Sequence, residues 1–91
     1  MGTKKVDFNK TGIDHLPDDK PVLYRIETDG GKLNYAGIAQ RGQVQNRISD
    51  HLDEIPGATV RIEQFHSIDD ARKKETNVIR QNLPKYNKQG K

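Results

Sequence analysis

Two runs of strand-forming side chains, Val22–Glu27 and Leu33–Ala39, flank the turn Thr28-Asp29-Gly30-Gly31 and commit the centre of this chain to an antiparallel hairpin. How the turn closes decides which side chains share a face, because a one-residue slip moves every side chain to the other side. With Asp29-Gly30 as a two-residue loop, Tyr24 lies directly opposite Tyr35. With Gly30-Gly31 as the loop, Tyr24 faces Gly37, and Tyr35 is a diagonal neighbour on the same face. A three-residue loop puts the tyrosines on opposite faces. Two of the three closures bring both phenols to one surface, where they could also be no more than a cross-strand aromatic pair.

Ahead of the hairpin, residues 1–20 offer only Val6, Phe8, Ile13 and Leu16 as anchors, and read as an irregular arm with one short turn around Gly12–Leu16. Beyond it, Val44, Ile48 and Leu52 recur at spacings of four and predict a helix from Gln43 to Leu52. Arg47 and His51, also four apart, run along its flank. Pro56-Gly57 breaks the chain, and Ala58 to Phe65 alternates as a third strand. Ser67 opens a second helix, with Asp70 three residues on as a short variant of the capping box, and Pro84 ends it. A basic tail covers 89–91. With 91 residues, of which 31% are hydrophobic, the chain has material for one thin core and no more. The expected class is α+β. The absence of cysteine excludes disulfides and thiolate metal sites. No run approaches the roughly 20 apolar residues of a membrane span and no signal peptide is visible, so a cytoplasmic protein is expected.

Charge is unevenly placed. Residues 72–91 hold seven cations and the single acid Glu75, a net +6, whereas the whole chain carries +3. A basic end on a weakly acidic body suits a polyanion gripped from one side, although it could equally be a solvated tail. The second helix carries the sharpest anomaly. Its apolar line runs Ile68, Ala71, then Glu75, then Val78 and Ile79. A carboxylate where periodicity asks for an apolar side chain needs compensation: an ion pair, a set of donors, or a metal ion in a cleft. Two phenols on one face, an arginine and a histidine on one flank, and an isolated carboxylate form a kit suited to phosphodiester hydrolysis.

With those residues in place, the sequence resembles the GIY-YIG nuclease domains of homing endonucleases, some restriction enzymes and the bacterial excision-repair incision subunit. Val22-Leu23-Tyr24 stands where that family has its first tripeptide, and Tyr35-Ala36-Gly37 where it has the second. Arg47-Ile48-Ser49-Asp50-His51 resembles its motif of an arginine one helical turn before a histidine. Glu75-Thr76-Asn77-Val78-Ile79 and Pro84-Lys85-Tyr86-Asn87 resemble its glutamate helix and closing Pro-x-Tyr-Asn. Val22, Leu23 and Ala36 depart from the motif letters at positions that shape packing and carry no chemistry.

The resemblance spans 21–88 and implies a GIY-YIG fold: a small three-stranded, mainly antiparallel sheet flanked by helices. It implies an endonuclease that hydrolyses DNA, including branched or single-stranded DNA, to leave a 5′-phosphate. Glu75 would bind one Mg²⁺ or Mn²⁺, with water completing the shell. Tyr24 would be the general base or orient the attacking water, and Tyr35 would position water or phosphate. Arg47 would stabilise charge on the phosphorus centre, His51 would assist proton transfer, and Asn87 would brace the site. Gly37 would let the backbone approach. Arg41, Arg72, Lys74, Arg80 and Lys85 are the expected phosphate contacts. No separate DNA-recognition domain is evident, which leaves substrate choice open; a homodimer or a partner protein would be one way to supply targeting. The alternative is a domain of the same fold that grips nucleic acid without cutting it.

Overall fold

A computed structural model describes residues 3–52 and 54–82, with the side chain of Asn82 left aside. The predicted hairpin is present, with β2 at Val22–Glu27 and β3 at Leu33–Ala39. Its turn closes as the three-residue loop, yet the register is the one expected of the Gly30-Gly31 closure. The Gly31 N–H donates to the Thr28 carbonyl and the Thr28 N–H to Lys32, leaving Asp29, Gly30 and Gly31 as a three-residue loop. Gly31 takes φ +86°, which glycine adopts without steric cost. Such a loop alone would separate the tyrosines. A second irregularity cancels it: Glu27 pairs with Leu33 but Ile26 with Tyr35, so Asn34 is an extra residue in β3. Beyond this bulge Tyr24 faces Gly37, and both phenols share one face. Asn34 is itself buried, and its amide donates to the Pro56 carbonyl at 2.8 Å.

The sheet has four strands, not the three expected. Thr59–Gln64 forms β4 against β2, as its alternation suggested. Thr3–Asp7 forms β1 on the far side of β4, giving the antiparallel order β1-β4-β2-β3. The supposed irregular arm is thus ordered. Sequence could not show β1 because it is an edge strand whose residues are exposed except the half-buried Val6. Its hydrogen bonds come from the backbone, which leaves no hydrophobic period to read. The arm continues through the short helix α1, Lys10–Asp14, where the Asn9 side chain accepts from the Gly12 N–H.

Both sheet faces are covered. On one, Val22, Tyr24 and Ile26 pack with Phe8, Ile13 and Leu16 of the arm, and with Val44 and Ile48 of helix α2, Val44–Ser49. That helix is shorter than predicted, its pattern ending in turns through Leu52. On the other face, Leu23 and Ala36 pack with Ala71 and Val78 of helix α3, Ile68–Asn82. Ser67 caps α3 as expected, its hydroxyl accepting from the Asp70 N–H. Gln43 makes no side-chain cap on α2. Asp18 supplies one from the arm, its carboxylate accepting from the Val44 N–H at 2.8 Å, while the Gln45 amide donates back to the carbonyls of Asp14 and Leu16. The arm therefore fixes the helix that carries Arg47.

Candidate active site

The site forms at β3, the edge strand, where the layers of α2 and α3 come together. Tyr24 points from β2 toward α2, and its ring lies across Gly37 of β3. A Cβ at Gly37 would stand 2.7 Å from both the Cζ and the hydroxyl of Tyr24, and 3.0 Å from the Tyr35 ring. Glycine here is a seat for a ring, since an edge-strand glycine leaves a gap that a neighbouring aromatic fills. Gly37→Ala should force the ring aside. We expect a loss of about 1–3 kcal/mol, the usual range for overpacking, read as a lower midpoint in denaturant unfolding.

Three rings gather above that glycine. Tyr24 and Tyr35 have centroids 6.0 Å apart, and His51, in the turn after α2, lies 5.8 Å from the first and 4.6 Å from the second. The Tyr24 hydroxyl is hydrogen-bonded to His51 Nε2 at 2.9 Å. Burial pushes the Tyr24 phenol well above the ordinary phenolic range, and the Tyr35 phenol and Glu75 carboxylate push it further while Arg47 draws it back. Tyr24 therefore stays protonated. Burial lowers the His51 pKa, assisted by Arg47 and opposed by Glu54 and Asp50, so the imidazole is neutral near pH 7.

Glu75 lies on α3 between buried Ala71 and Val78, as the apolar line required, and is half-buried. Burial raises its pKa, against the pull of Arg72 and Arg47. Among the described residues its carboxylate makes no hydrogen bond and no ion pair within 4 Å. The ion-pair explanation of this misplaced acid finds no partner there. Arg47 is similarly unpaired with Asp50; Asp53, the other acid considered for it, lies outside the described residues. The charge of Arg47, itself exposed, reaches Tyr24, His51 and Glu75.

Beside the cluster a cleft of about 300 Å³ runs between α2 and α3, lined by Ile38, Gln40, Gln43, Arg47, Ile68 and Arg72. Of the expected phosphate contacts, Arg72 faces this cleft. Arg41 lines a different cavity, of about 330 Å³, with Lys20, Phe65 and His66. Lys74 and Arg80 are exposed on α3. Lys85 and Asn87 fall outside the described residues. The structure adds Glu54, whose carboxylate stands 3.6 Å from His51 Nδ1. A helix read as ending at Leu52 gave no reason to look at it, although its spacing of three from His51 was visible. Among the described residues no group of three or more His, Asp or Glu side chains could hold a metal.

No protein-family model matches the sequence, and no curated protein matches it. Solved structures do match the fold. The GIY-YIG N-terminal endonuclease domain of UvrC from Thermotoga maritima, bound to its catalytic magnesium, aligns with a TM-score of 0.67 at 23% identity, covering 80% of this chain and 89% of that one. A tyrosine-to-phenylalanine mutant of that domain with its catalytic divalent cation aligns at 0.65 and 24% identity, over 81% and 89% of the two chains. An asparagine-to-alanine mutant aligns at 0.67 and 22% identity, with the same coverage. The chain has the GIY-YIG domain fold, as its motifs implied.

Proposed function

We propose that the protein is a metal-dependent endonuclease that hydrolyses phosphodiester bonds in DNA and leaves a 5′-phosphate. One observation carries this reading: a half-buried carboxylate that makes no hydrogen bond or ion pair among the described residues lies within electrostatic reach of the Tyr24 phenol and the Arg47 guanidinium. Such a carboxylate fits a hard divalent cation, Mg²⁺ or Mn²⁺, held through oxygen with water as the remaining ligands. When bound, the ion supplies neutralisation of charge on the phosphate and the leaving oxygen.

The side chains divide the remaining work. Arg47 stabilises the non-bridging phosphate oxygens, because its planar guanidinium stays charged and donates in pairs. Tyr35, half-buried at the outer side of the rings, positions the attacking water. Tyr24 cannot serve as a preformed phenolate, so it works with His51. As the water's O–H bond breaks, the Tyr24 oxygen takes that proton and passes its own to His51 Nε2, across the 2.9 Å hydrogen bond. The water oxygen bonds to phosphorus, and the bond from phosphorus to the 3′ oxygen breaks. That oxygen takes a proton from solvent. Arg72 holds a flanking phosphate in the cleft, and the exposed cations of α3 add affinity without reading sequence.

The pH profile follows from the proton acceptor. His51 must be neutral to act, and its lowered pKa keeps it neutral further into acid than a free imidazole. Glu75 must be ionised, and its raised pKa limits the same side. Cleavage should be level through neutral pH and fall on the acid side with a midpoint below about 6.5, the ordinary histidine value. No second rise is expected up to pH 10, since Tyr24 does not ionise there. A profile that climbs from pH 6.5 to 8 would rule out His51 as acceptor.

The direct test is a cleavage screen over duplex, nicked, flapped and branched DNA and RNA, with Mg²⁺ and Mn²⁺ and with chelator. Nicking of DNA that needs the metal and leaves 5′-phosphate ends supports the proposal. Salt-sensitive binding without cutting in any metal would favour the non-cleaving domain instead.

A further inference from the structure

His51 presents two nitrogens, and among the described residues one of them lacks a hydrogen-bond partner. Nε2 meets the Tyr24 hydroxyl, while Nδ1 is buried and makes no hydrogen bond to any described residue. A buried ring nitrogen left unpaired is unfavourable, and where one occurs it calls for a missing partner. Among the described residues, the carboxylate that comes within 4 Å of Nδ1 is that of Glu54, with Oε1 at 3.6 Å, about half an ångström beyond a normal hydrogen bond. The Glu54 side chain is 70% exposed, so it can close that gap by a small rotation. Its backbone needs no adjustment. The N–H groups of Glu54 and Ile55 both donate to the His51 carbonyl, at 3.1 and 3.0 Å, and this turn holds Glu54 against the Nδ1 edge of the ring. Asp50, whose charge also reaches the imidazole, makes no contact with Nδ1 within 4 Å.

Two tautomers are available to a neutral histidine, and the hydrogen bond on one nitrogen fixes the other. With the proton on Nε2, Nδ1 would offer a bare lone pair to a carboxylate, acceptor against acceptor. With the proton on Nδ1, it donates to Glu54 and leaves Nε2 free to receive from Tyr24. We propose that Glu54 is a positioning residue: its carboxylate accepts the Nδ1–H of His51 and so turns the Nε2 lone pair toward the Tyr24 hydroxyl. Carboxylate, imidazole and hydroxyl then stand in the order by which a base is oriented and a hydroxyl made to give up its proton. The catalytic consequence rests on the nuclease reading above, whereas the tautomer does not.

The experiment uses the full chain without metal or substrate, labelled with ¹⁵N in the imidazoles, at pH 7.5. Long-range ¹H–¹⁵N spectra report which nitrogen of His51 carries the proton. The wild type should show Nδ1–H. Glu54→Gln, whose amide oxygen still accepts, should keep it, and Glu54→Ala should move His51 toward a mixture or to Nε2–H. In cleavage assays Glu54→Ala should lower kcat by about 10–100-fold at unchanged KM, the scale for losing a group that orients a histidine, and Glu54→Gln should recover most of it. A thermal melt unchanged in both variants confirms that folding is not the cause. An Nε2–H tautomer in the wild type, or one unmoved in Glu54→Ala, would overturn the proposal. A wild type that cuts nothing would sink the nuclease reading, and the spectra would still decide the role of Glu54.

Discussion

Glu75→Gln should abolish cleavage and leave the protein as stable as before, or more so. The substitution keeps the shape of the side chain and removes its charge. Glu75 is half-buried, burial raises its pKa, and the pull of Arg72 and Arg47 does not cancel that effect, with no hydrogen bond or ion pair among the described residues to complete it. Losing an incompletely compensated charge relieves the folded state. The same change takes away the carboxylate proposed to hold the cation near Tyr24 and Arg47. Removing one preorganised electrostatic group commonly costs about 10²–10³ in rate, and loss of the ion itself should reach at least that. Opposite signs on the two readouts separate this reading from a structural one. If Glu75 served an ion pair, Glu75→Gln would lower Tm and the metal dependence would survive.

Tyr24→Phe should lower kcat by about 10²–10⁴-fold, the range for a positioned proton-transfer group, with much less effect on KM. The phenyl ring still fills the seat over Gly37, so packing is kept. The missing oxygen removes the hydrogen bond to His51 Nε2, at an expected cost of about 1 kcal/mol in unfolding. The pairing with His51 gives a sharper check. If the two act as one relay, adding His51→Ala to Tyr24→Phe should lower the rate little further, because residues working as a unit are strongly non-additive. Multiplying losses would show that each acts alone. Single-turnover rates in Mg²⁺ would decide it.

Much of the candidate site was legible because its residue types break a pattern. Glu75 interrupts an apolar line, and Arg47 and His51 stand four apart on a flank beside the apolar row of Val44, Ile48 and Leu52. Such conflicts between local period and residue type are visible in a single sequence. The hairpin was legible in outline only. Its tyrosines do share a face, but through a three-residue loop and a bulge at Asn34 that offset each other, and two cancelling slips leave no trace in a string of residues. β1 stayed hidden because an exposed edge strand has no inward row of side chains. Asp18 and Glu54 stayed hidden for another reason. Each acts on one atom of a residue elsewhere, Val44 N–H or His51 Nδ1, and neither carries a periodic signal.

The clasp between the arm and α2 separates the length of the recognisable pattern from the length of the working machine. Every residue proposed to have a chemical task lies at or beyond Tyr24, so a fragment begun at Pro21 would carry the full set of candidate reactive groups. It would lack Asp18 at the head of a six-residue helix, and Phe8, Ile13 and Leu16 beneath it. A helix so short does not hold itself together in water. Arg47 and His51 would then hang from a loose coil, and the fragment would possess its tools without a bench to fix them to.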